Sequence, residues 1–180
     1  MFRLAKNDEE GEEIWHARKT ALWSCLALKN NPTDKFVSAD ACVPISRLGD
    51  IIGESQRKIN ESGLLGSFLG HVGDGNFHTT VLYSDVEREK AKQIIFDVQR
   101  MGVDMDGTVS GEHGIGLEYR DQMVYELGEH SVDAMRRIKF ALDPLCLMNP
   151  GKMIRVDSAG ESDQKMASKT MSSVVTSRGP

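Results

Sequence analysis

The amino-acid sequence predicts an α+β fold, a ferredoxin-like sandwich in which helices lie on a mainly antiparallel sheet. Segments with helical and strand periodicity follow in the order helix, strand, helix, strand, strand, helix, with more helix after them. A Gly-Asp-Gly-Asn turn at residues 73–76 separates two apolar runs, as is typical of a β-hairpin. The chain has 180 residues and is 39% hydrophobic, enough for one core, so residues 1–156 are predicted to form one domain.

The first half opens with a predicted amphipathic helix over residues 9–28, where apolar positions recur every three or four residues before an Asn-Asn-Pro stop. Residues 36–43 are predicted to form a short strand. A second helix is predicted to open near Ser46 and to end near Gly63, because its apolar residues occupy one helical face.

The hairpin strands are predicted at residues 64–72 and 77–83, on either side of the Gly-Asp-Gly-Asn turn. The next helix has a candidate N-cap in Ser84 or Asp85. Its apolar periodicity continues to Gly102, where the helix is predicted to stop.

The second half is predicted to be mainly helical. Residues 108–109 form at most a short strand, and residues 118–127 and 132–142 are predicted as helices. Residues 148–152 (Met-Asn-Pro-Gly-Lys) indicate a turn. From residue 157 the composition changes to Ser, Thr, Lys and Gly, so residues 157–180 are predicted to be a disordered tail.

Composition excludes several classes of protein. The net charge is −5 and no block of Lys or Arg occurs, so no nucleic-acid surface is predicted. The longest apolar stretch, residues 21–28, is far shorter than the ~20 residues of a membrane-spanning helix, and no secretory signal is recognisable. The three cysteines are odd in number and lack metal-ligand spacing, which predicts buried thiols in a reducing compartment: Cys25, Cys42 and Cys146.

Two histidines, His71 and His78, flank the hairpin turn. A hairpin centred on Asp74 and Gly75 pairs them directly, whether its loop has two residues or four, and so places both on one face. Directly opposed residues have Cβ atoms about 4.5–5.5 Å apart, so both imidazoles could bind one ion at about 2.0–2.1 Å. The alternative is a histidine pair with a purely structural role.

A second glycine-rich segment, residues 110–116, contains Glu112 and His113. Two imidazoles and one carboxylate would form an open metal site of the catalytic zinc or non-haem iron kind. Taken alone, a residue such as Glu112 is more often a solvated loop acid, and its glycine neighbours are what count against that alternative. His113 is a candidate general base or an orienting histidine. Arg18, three residues after Trp15, could present its guanidinium to a carboxylate substrate or lie on a solvated helix face.

Five motifs occur in order between about residues 12 and 154. They are Trp15-His16-Ala17-Arg18-Lys19, Asp40-Ala41-Cys42-Val43-Pro44-Ile45-Ser46-Arg47-Leu48, the His-x-Gly-Asp-Gly-Asn-x-His hairpin, Ser110-Gly111-Glu112-His113-Gly114-Ile115-Gly116, and Asn149-Pro150-Gly151-Lys152. With these motifs the chain resembles the C-terminal half of the FAD-linked oxidases of the vanillyl-alcohol-oxidase type. The resemblance is greatest to the mitochondrial D-lactate dehydrogenase (cytochrome) branch and its relatives that act on glycolate or D-2-hydroxyglutarate.

The resemblance implies a metal centre and a catalytic base. His71, His78 and Glu112 match the family's ligands for a divalent metal, usually zinc, and His113 matches its catalytic base. The implied reaction is the oxidation of a 2-hydroxyacid, most closely D-lactate to pyruvate, with the metal polarising the hydroxyl and FAD accepting hydride.

The same resemblance implies the remaining contacts. Arg18 matches an arginine that binds the substrate carboxylate, and Asn149 and Lys152 match a terminal segment that packs near the flavin. Cytochrome c is the implied electron acceptor, and the implied location is mitochondrial.

Family members carry an N-terminal flavin-binding domain of about 200 residues, which the present chain lacks. The chain is therefore expected to be a truncated substrate (cap) domain, with an incomplete sheet and one unpaired edge. Three alternatives remain: a catalytically inactive metal-binding fragment, a D-2-hydroxyglutarate or glycolate dehydrogenase relative, and a metallohydrolase that uses the same ligands.

Overall fold

The computed structural model describes residues 4–156, so the predicted tail at residues 157–180 lies outside the described residues. The chain consists of two compact units, Met1–Gly107 and Thr108–Pro180. Among the described residues, no helix is long and apolar enough to cross a lipid bilayer.

The first unit alternates helices and strands in the predicted order. In chain order its elements are α1 (Asp8–Leu26), β1 (Lys35–Cys42), α2 (Leu48–Ser62), β2 (Leu65–His71), β3 (Asn76–Tyr83) and α3 (Arg88–Asp104). Every strand lies within one residue of its predicted bounds. The predicted element order of this unit is therefore confirmed.

Three helix ends of the first unit have recognisable capping features. The Asn7 side chain accepts the Glu10 N–H at the start of α1. Before α3, Ser84 and Glu87 form a capping box, in which each side chain serves the other residue's backbone. Gly63 ends α2 in the left-handed conformation, as helix C-termini commonly do.

The sheet has the strand order β1-β3-β2, and β3 is antiparallel to both neighbours. Strands β1 and β2 therefore run in the same direction and are joined through α2, with β3 between them. This is the split βαβ arrangement of ferredoxin-like folds. The predicted fold class, helices on an antiparallel sheet, is confirmed.

One face of the sheet is apolar and packs against helices. It presents Phe77 and Val81 from β3 and Ala39 and Ala41 from β1, all of them buried. Helix α2 lies on this face, since Ile59 approaches within 2.9 Å of the point where Gly66 would carry a Cβ. Helix α3 contacts β1, β3 and α2. Burial of these side chains is the main source of stability for the unit.

The second unit contains α4 (Arg120–Leu127) and α5 (Glu129–Leu142). Several helix boundaries differ from the predicted ones by two or three residues: α1 ends at Leu26 rather than residue 28, and α4 begins at Arg120 rather than residue 118. Two further differences have a local cause. Helix α3 continues past Gly102 to Asp104, because Gly102 is buried and packing outweighs its low helix propensity. Helix α5 begins at Glu129 rather than residue 132, directly after Gly128 with its φ of 77°.

Asp143 holds the chain that follows α5. Its carboxylate accepts hydrogen bonds from the backbone N–H groups of Leu147 and Met148. It also forms an ion pair with Lys139. The Lys139 side chain, followed by the Met148 N–H, lowers the pKa of the Asp143 carboxyl below its ordinary value. The turn that leads to residues 149–152 therefore depends on an ionised aspartate.

Gly75 is the residue of the hairpin turn that tolerates no side chain. Its φ is 72°, and a Cβ there would lie 2.0 Å from the carbonyl oxygen of Val43. The Gly75 carbonyl in turn accepts the Val43 N–H at 3.0 Å. The turn is thereby held against the end of β1.

We expect Gly75→Ala to lower the free energy of unfolding by at least about 1–2 kcal/mol, because an L-residue in the left-handed region costs that much before any clash. Gly73→Ala is the matched control, since a Cβ there meets nothing within 4 Å. Chemical denaturation would measure both variants. Equal stability of the two would contradict the close approach described here.

We expect Asp143→Asn to destabilise the chain near pH 6 and to have a smaller effect near pH 2. A carboxyl whose folded pKa is lowered stabilises the protein above its unfolded pKa, and that stabilisation is lost as pH falls through the folded value. Urea denaturation of wild type and variant at both pH values measures the difference. Asp50→Asn controls for the removal of one exposed carboxylate. A difference that does not depend on pH would count against this role.

Candidate metal centre

His71 and His78 lie at the end of the hairpin on one face of the sheet, but they are not directly opposed. His71 pairs with Asn76, and His78 pairs with Leu69. The predicted direct pairing is wrong by two residues because the loop is residues 72–75, which form a single 3-10 turn ended by left-handed Gly75. A slip of two residues preserves the face, since side-chain direction alternates with period two.

The two imidazoles are diagonal neighbours. Their ring centroids lie 5.5 Å apart with an interplanar angle of 83°. Two nitrogens bound to one ion at about 2.0–2.1 Å are at most about 4 Å apart, which this ring separation allows. His71 is exposed and His78 is half-buried, so a shared ion there would remain accessible from solvent. The donor chemistry and the spacing fit a divalent metal of the zinc type.

The same face of the sheet carries further polar side chains in register with the histidines. Asn76 stands between His71 on β2 and Cys42 on β1, while Asp40 on β1 is directly opposite His78. Asp40 and Asn76 are 1% and 5% exposed. Neither residue is among the site residues predicted from the sequence. A carboxylate in the middle of a predicted strand is the signal that could have identified Asp40.

Cys42 occupies the edge of this face. Its thiol donates to the Asp74 carbonyl at 3.2 Å. Burial, then the charges of Asp74 and Asp40, raise the pKa of the Cys42 thiol above its ordinary value. The thiol is therefore kept protonated, which does not favour it as a metal ligand or nucleophile.

In the second unit, Glu112 and His113 lie in the predicted glycine-rich loop. The His113 Nε2 and Glu112 Oε1 atoms are 4.0 Å apart, and both side chains are nearly half exposed. Inside the loop, the Ser110 hydroxyl accepts the Gly114 N–H at 2.8 Å. Gly114 and Gly116 have positive φ, which explains the glycine-rich sequence.

Both ends of this loop are anchored within the second unit. At its start, the Glu126 carboxylate accepts the Val109 N–H at 2.9 Å and the Thr108 hydroxyl at 3.1 Å. At its end, the Gly116 carbonyl accepts the Met153 N–H at 2.8 Å. The loop is thus held by α4 on one side and by the terminal segment on the other.

The terminal segment forms the predicted turn. Arg120 donates to the Gly151 carbonyl at 2.7 Å, and the Lys152 N–H donates to the Asn149 carbonyl at 3.2 Å. Asn149 and Lys152 both have exposed side chains. Sequence reasoning missed Arg120, which holds this segment and lies only four residues after Gly116.

Arg18, the predicted carboxylate-binding residue, lies in α1 and is half-buried. The structure describes no acidic partner for it within residues 4–156. Arg18, His71 and His78 thus belong to the first unit. The second unit holds the other four predicted site residues: Glu112, His113, Asn149 and Lys152.

Comparison with known proteins adds the family. Residues 1–153 match the family of FAD linked oxidases, C-terminal domain. The chain is 40% identical over 158 residues to the mitochondrial D-lactate dehydrogenase (cytochrome) of Kluyveromyces lactis, a match that covers 87% of this chain and 27% of that protein. It is 31% identical to glycolate oxidase subunit GlcD of Bacillus subtilis, with 87% of this chain and 33% of that protein covered.

A probable mitochondrial D-2-hydroxyglutarate dehydrogenase of Oryza sativa subsp. indica is 32% identical, with 84% of this chain and 26% of that protein covered. Among solved structures, 4-ethylphenol oxidase from Gulosibacter chungangensis has a TM-score of 0.53 at 16% identity. That match covers 84% of this chain and 31% of the oxidase, and it shows a shared fold.

The chain thus spans about a quarter to a third of the length of the relatives it matches. The residues matched by the family, 1–153, include the hairpin with its two histidines and the loop with Glu112 and His113. The chain belongs to the family of FAD-linked oxidases and matches their C-terminal domain.

Proposed function

We propose that this chain is the substrate-activating part of a metal-assisted, FAD-dependent 2-hydroxyacid dehydrogenase, with D-lactate as the substrate and pyruvate as the product. The observation that carries the proposal is the pair of imidazoles on one sheet face, with ring centroids 5.5 Å apart, in a chain of this family. The choice of D-lactate rests on the 37–40% identity to several D-lactate dehydrogenases.

The proposed metal ligands are His71, His78 and Glu112. Two neutral imidazoles and one carboxylate suit zinc and leave coordination positions open, as catalytic zinc sites require. Without a metal, two protonated imidazoles so close together would repel. A shared ion removes that repulsion, because both imidazoles then bind it in their neutral form. The exposed position of His71 leaves such an ion accessible to substrate.

In the proposed reaction, Arg18 binds the substrate carboxylate and His113 accepts the proton of the 2-hydroxyl. Guanidinium and carboxylate form bidentate, charge-assisted hydrogen bonds, which would orient C2. A neutral imidazole is a suitable base near neutral pH. The metal and FAD, when bound, supply a positive charge at the hydroxyl oxygen and a hydride acceptor.

We further propose that FAD is held mainly outside this chain, with Asn149 and Lys152 contributing from the terminal turn. Both side chains are exposed, and Arg120 holds the backbone that carries them. Cytochrome c is the proposed electron acceptor and the mitochondrion the proposed location. The names of the D-lactate dehydrogenase relatives contain the words cytochrome and mitochondrial, which supports a cytochrome acceptor and that location.

Two other functions have specific support. One is a metal-binding module without catalysis of its own, because the proposed ligands His71, His78 and Glu112 need no flavin to bind an ion. Identities of 31% and 32% to glycolate oxidase subunit GlcD and to a probable D-2-hydroxyglutarate dehydrogenase keep other 2-hydroxyacids as candidate substrates.

The metal ligands are tested on the chain itself. We expect the wild type to bind one zinc ion, and His71→Ala or Glu112→Ala to weaken binding by more than the about 10–100-fold that loss of an outer-shell partner costs. A chromophoric chelator competition measures the affinity. His130→Ala, an exposed histidine at the start of α5, should bind zinc as the wild type does. Unchanged affinity in both ligand variants would refute the assignment.

Catalysis is tested in a chimera. Residues 1–156 replace the matched segment of the Kluyveromyces lactis enzyme, and D-lactate-dependent flavin reduction is followed by absorbance. We expect His113→Ala to slow flavin reduction by about 10²–10⁴-fold, the usual contribution of general-base catalysis. His130→Ala again serves as the control. Wild-type rates in the His113→Ala chimera would refute the base assignment, and a panel of 2-hydroxyacids would identify the substrate.

A further inference from the structure

The two histidines lie on a face of the sheet that carries several other polar side chains. This histidine face is formed by alternate residues of the three strands in register: Cys42, Asp40 and Ser38 on β1, Asn76, His78 and Thr80 on β3, and His71, Leu69 and Ser67 on β2. Each histidine has a directly opposed polar neighbour in the central or edge strand. Asn76 opposes His71, and Asp40 opposes His78.

Asp40 is a carboxylate with only 1% of its surface exposed. Burial of a charge is costly unless a donor compensates it. The residue directly opposite, with a Cβ expected at about 4.5–5.5 Å, is His78, whose ring carries a nitrogen on each side. The register therefore places the Asp40 carboxylate beside the His78 ring, where it can accept a ring N–H.

Asn76 is likewise a buried polar residue directly opposite a histidine, in this case His71. Its side chain is 5% exposed, and its Oδ1 is buried without a hydrogen-bond partner within the described residues. A buried acceptor left without a donor costs about 1–3 kcal/mol. On β1 the directly opposed residue is Cys42, whose thiol already donates to the Asp74 carbonyl. On β2 it is His71, so a ring N–H of His71 is the other donor that the register brings to Asn76.

We propose that Asp40 and Asn76 are positioning residues of the metal centre. Asp40 accepts the ring N–H of His78 that faces away from the metal, and the Asn76 Oδ1 accepts the corresponding N–H of His71. This inference rests on the proposed function, because it assigns partners to its two imidazole ligands.

The arrangement has a clear physical benefit. A histidine ligand donates its second ring N–H to a carboxylate or carbonyl oxygen, which selects the tautomer and holds the ring plane. A charged acceptor also makes the imidazole a better donor to the metal. The two positioning residues differ in charge, so Asp40 should strengthen His78 more than Asn76 strengthens His71.

The test uses zinc titration of the full 180-residue chain with two variants at each position. Leucine is close in size but has no acceptor, whereas replacement of Asp by Asn, or of Asn by Asp, keeps at least one acceptor oxygen. We expect Asp40→Leu and Asn76→Leu to weaken zinc binding about 10–100-fold. Asp40→Asn and Asn76→Asp should recover most of that loss.

Thr79→Val is the matched control. Thr79 is the chain neighbour of His78, is buried, and points to the opposite face of the sheet. Its zinc affinity should equal that of the wild type. Thermal unfolding of each zinc-free variant separates loss of metal affinity from loss of fold.

A second measurement detects the proposed hydrogen bonds directly in the wild type. Nitrogen-15 NMR of the zinc-loaded wild type should show a slowly exchanging ring N–H on both His71 and His78, and Asp40→Asn should shift the His78 signal alone. Wild-type zinc affinity in both leucine variants, or rapidly exchanging ring protons in the wild type, would overturn the inference. Failure of the wild type to bind zinc would instead overturn the proposed metal centre itself.

Discussion

The hydrogen bond between the Val43 N–H and the Gly75 carbonyl is the contact on which the hairpin depends. It brings the turn so close to the end of β1 that no Cβ fits at Gly75. The position of the turn sets which residue of β2 faces which residue of β3, and side-chain direction alternates along each strand. This backbone contact therefore fixes the turn, and the end of the hairpin that carries His71 and His78, against the end of β1.

The second unit uses the same means to hold its own functional residues. The loop with Glu112 and His113 contains glycines in the left-handed conformation, and its ends are held by the Glu126 carboxylate and by the Met153 N–H. Arg120 then holds the terminal turn through the Gly151 carbonyl. In both units, fixed backbone carries exposed side chains, which is how ligand-binding loops combine precision with access.

Much of the fold was predictable because it depends on local periodicity. The apolar positions of α2 and α3 recur at helical spacing, and the three strands were predicted to within one residue. The predicted helix end at Gly102 is wrong, since its low helix propensity is outweighed by burial. The predicted pairing of His71 with His78 is wrong by two residues, because both registers leave the histidines on one face and the apolar pattern does not distinguish them.

The sequence by itself determined the residue types that could bind a metal, the alternation that puts both histidines on one face, and the membership of a family. Only the tertiary structure decided which residues stand opposite them. Asp40 is thirty-eight positions before His78, and nothing in local periodicity relates the two. Their proximity arises from β3 inserting between β1 and β2, a pairing of distant segments that burial of the apolar face selects.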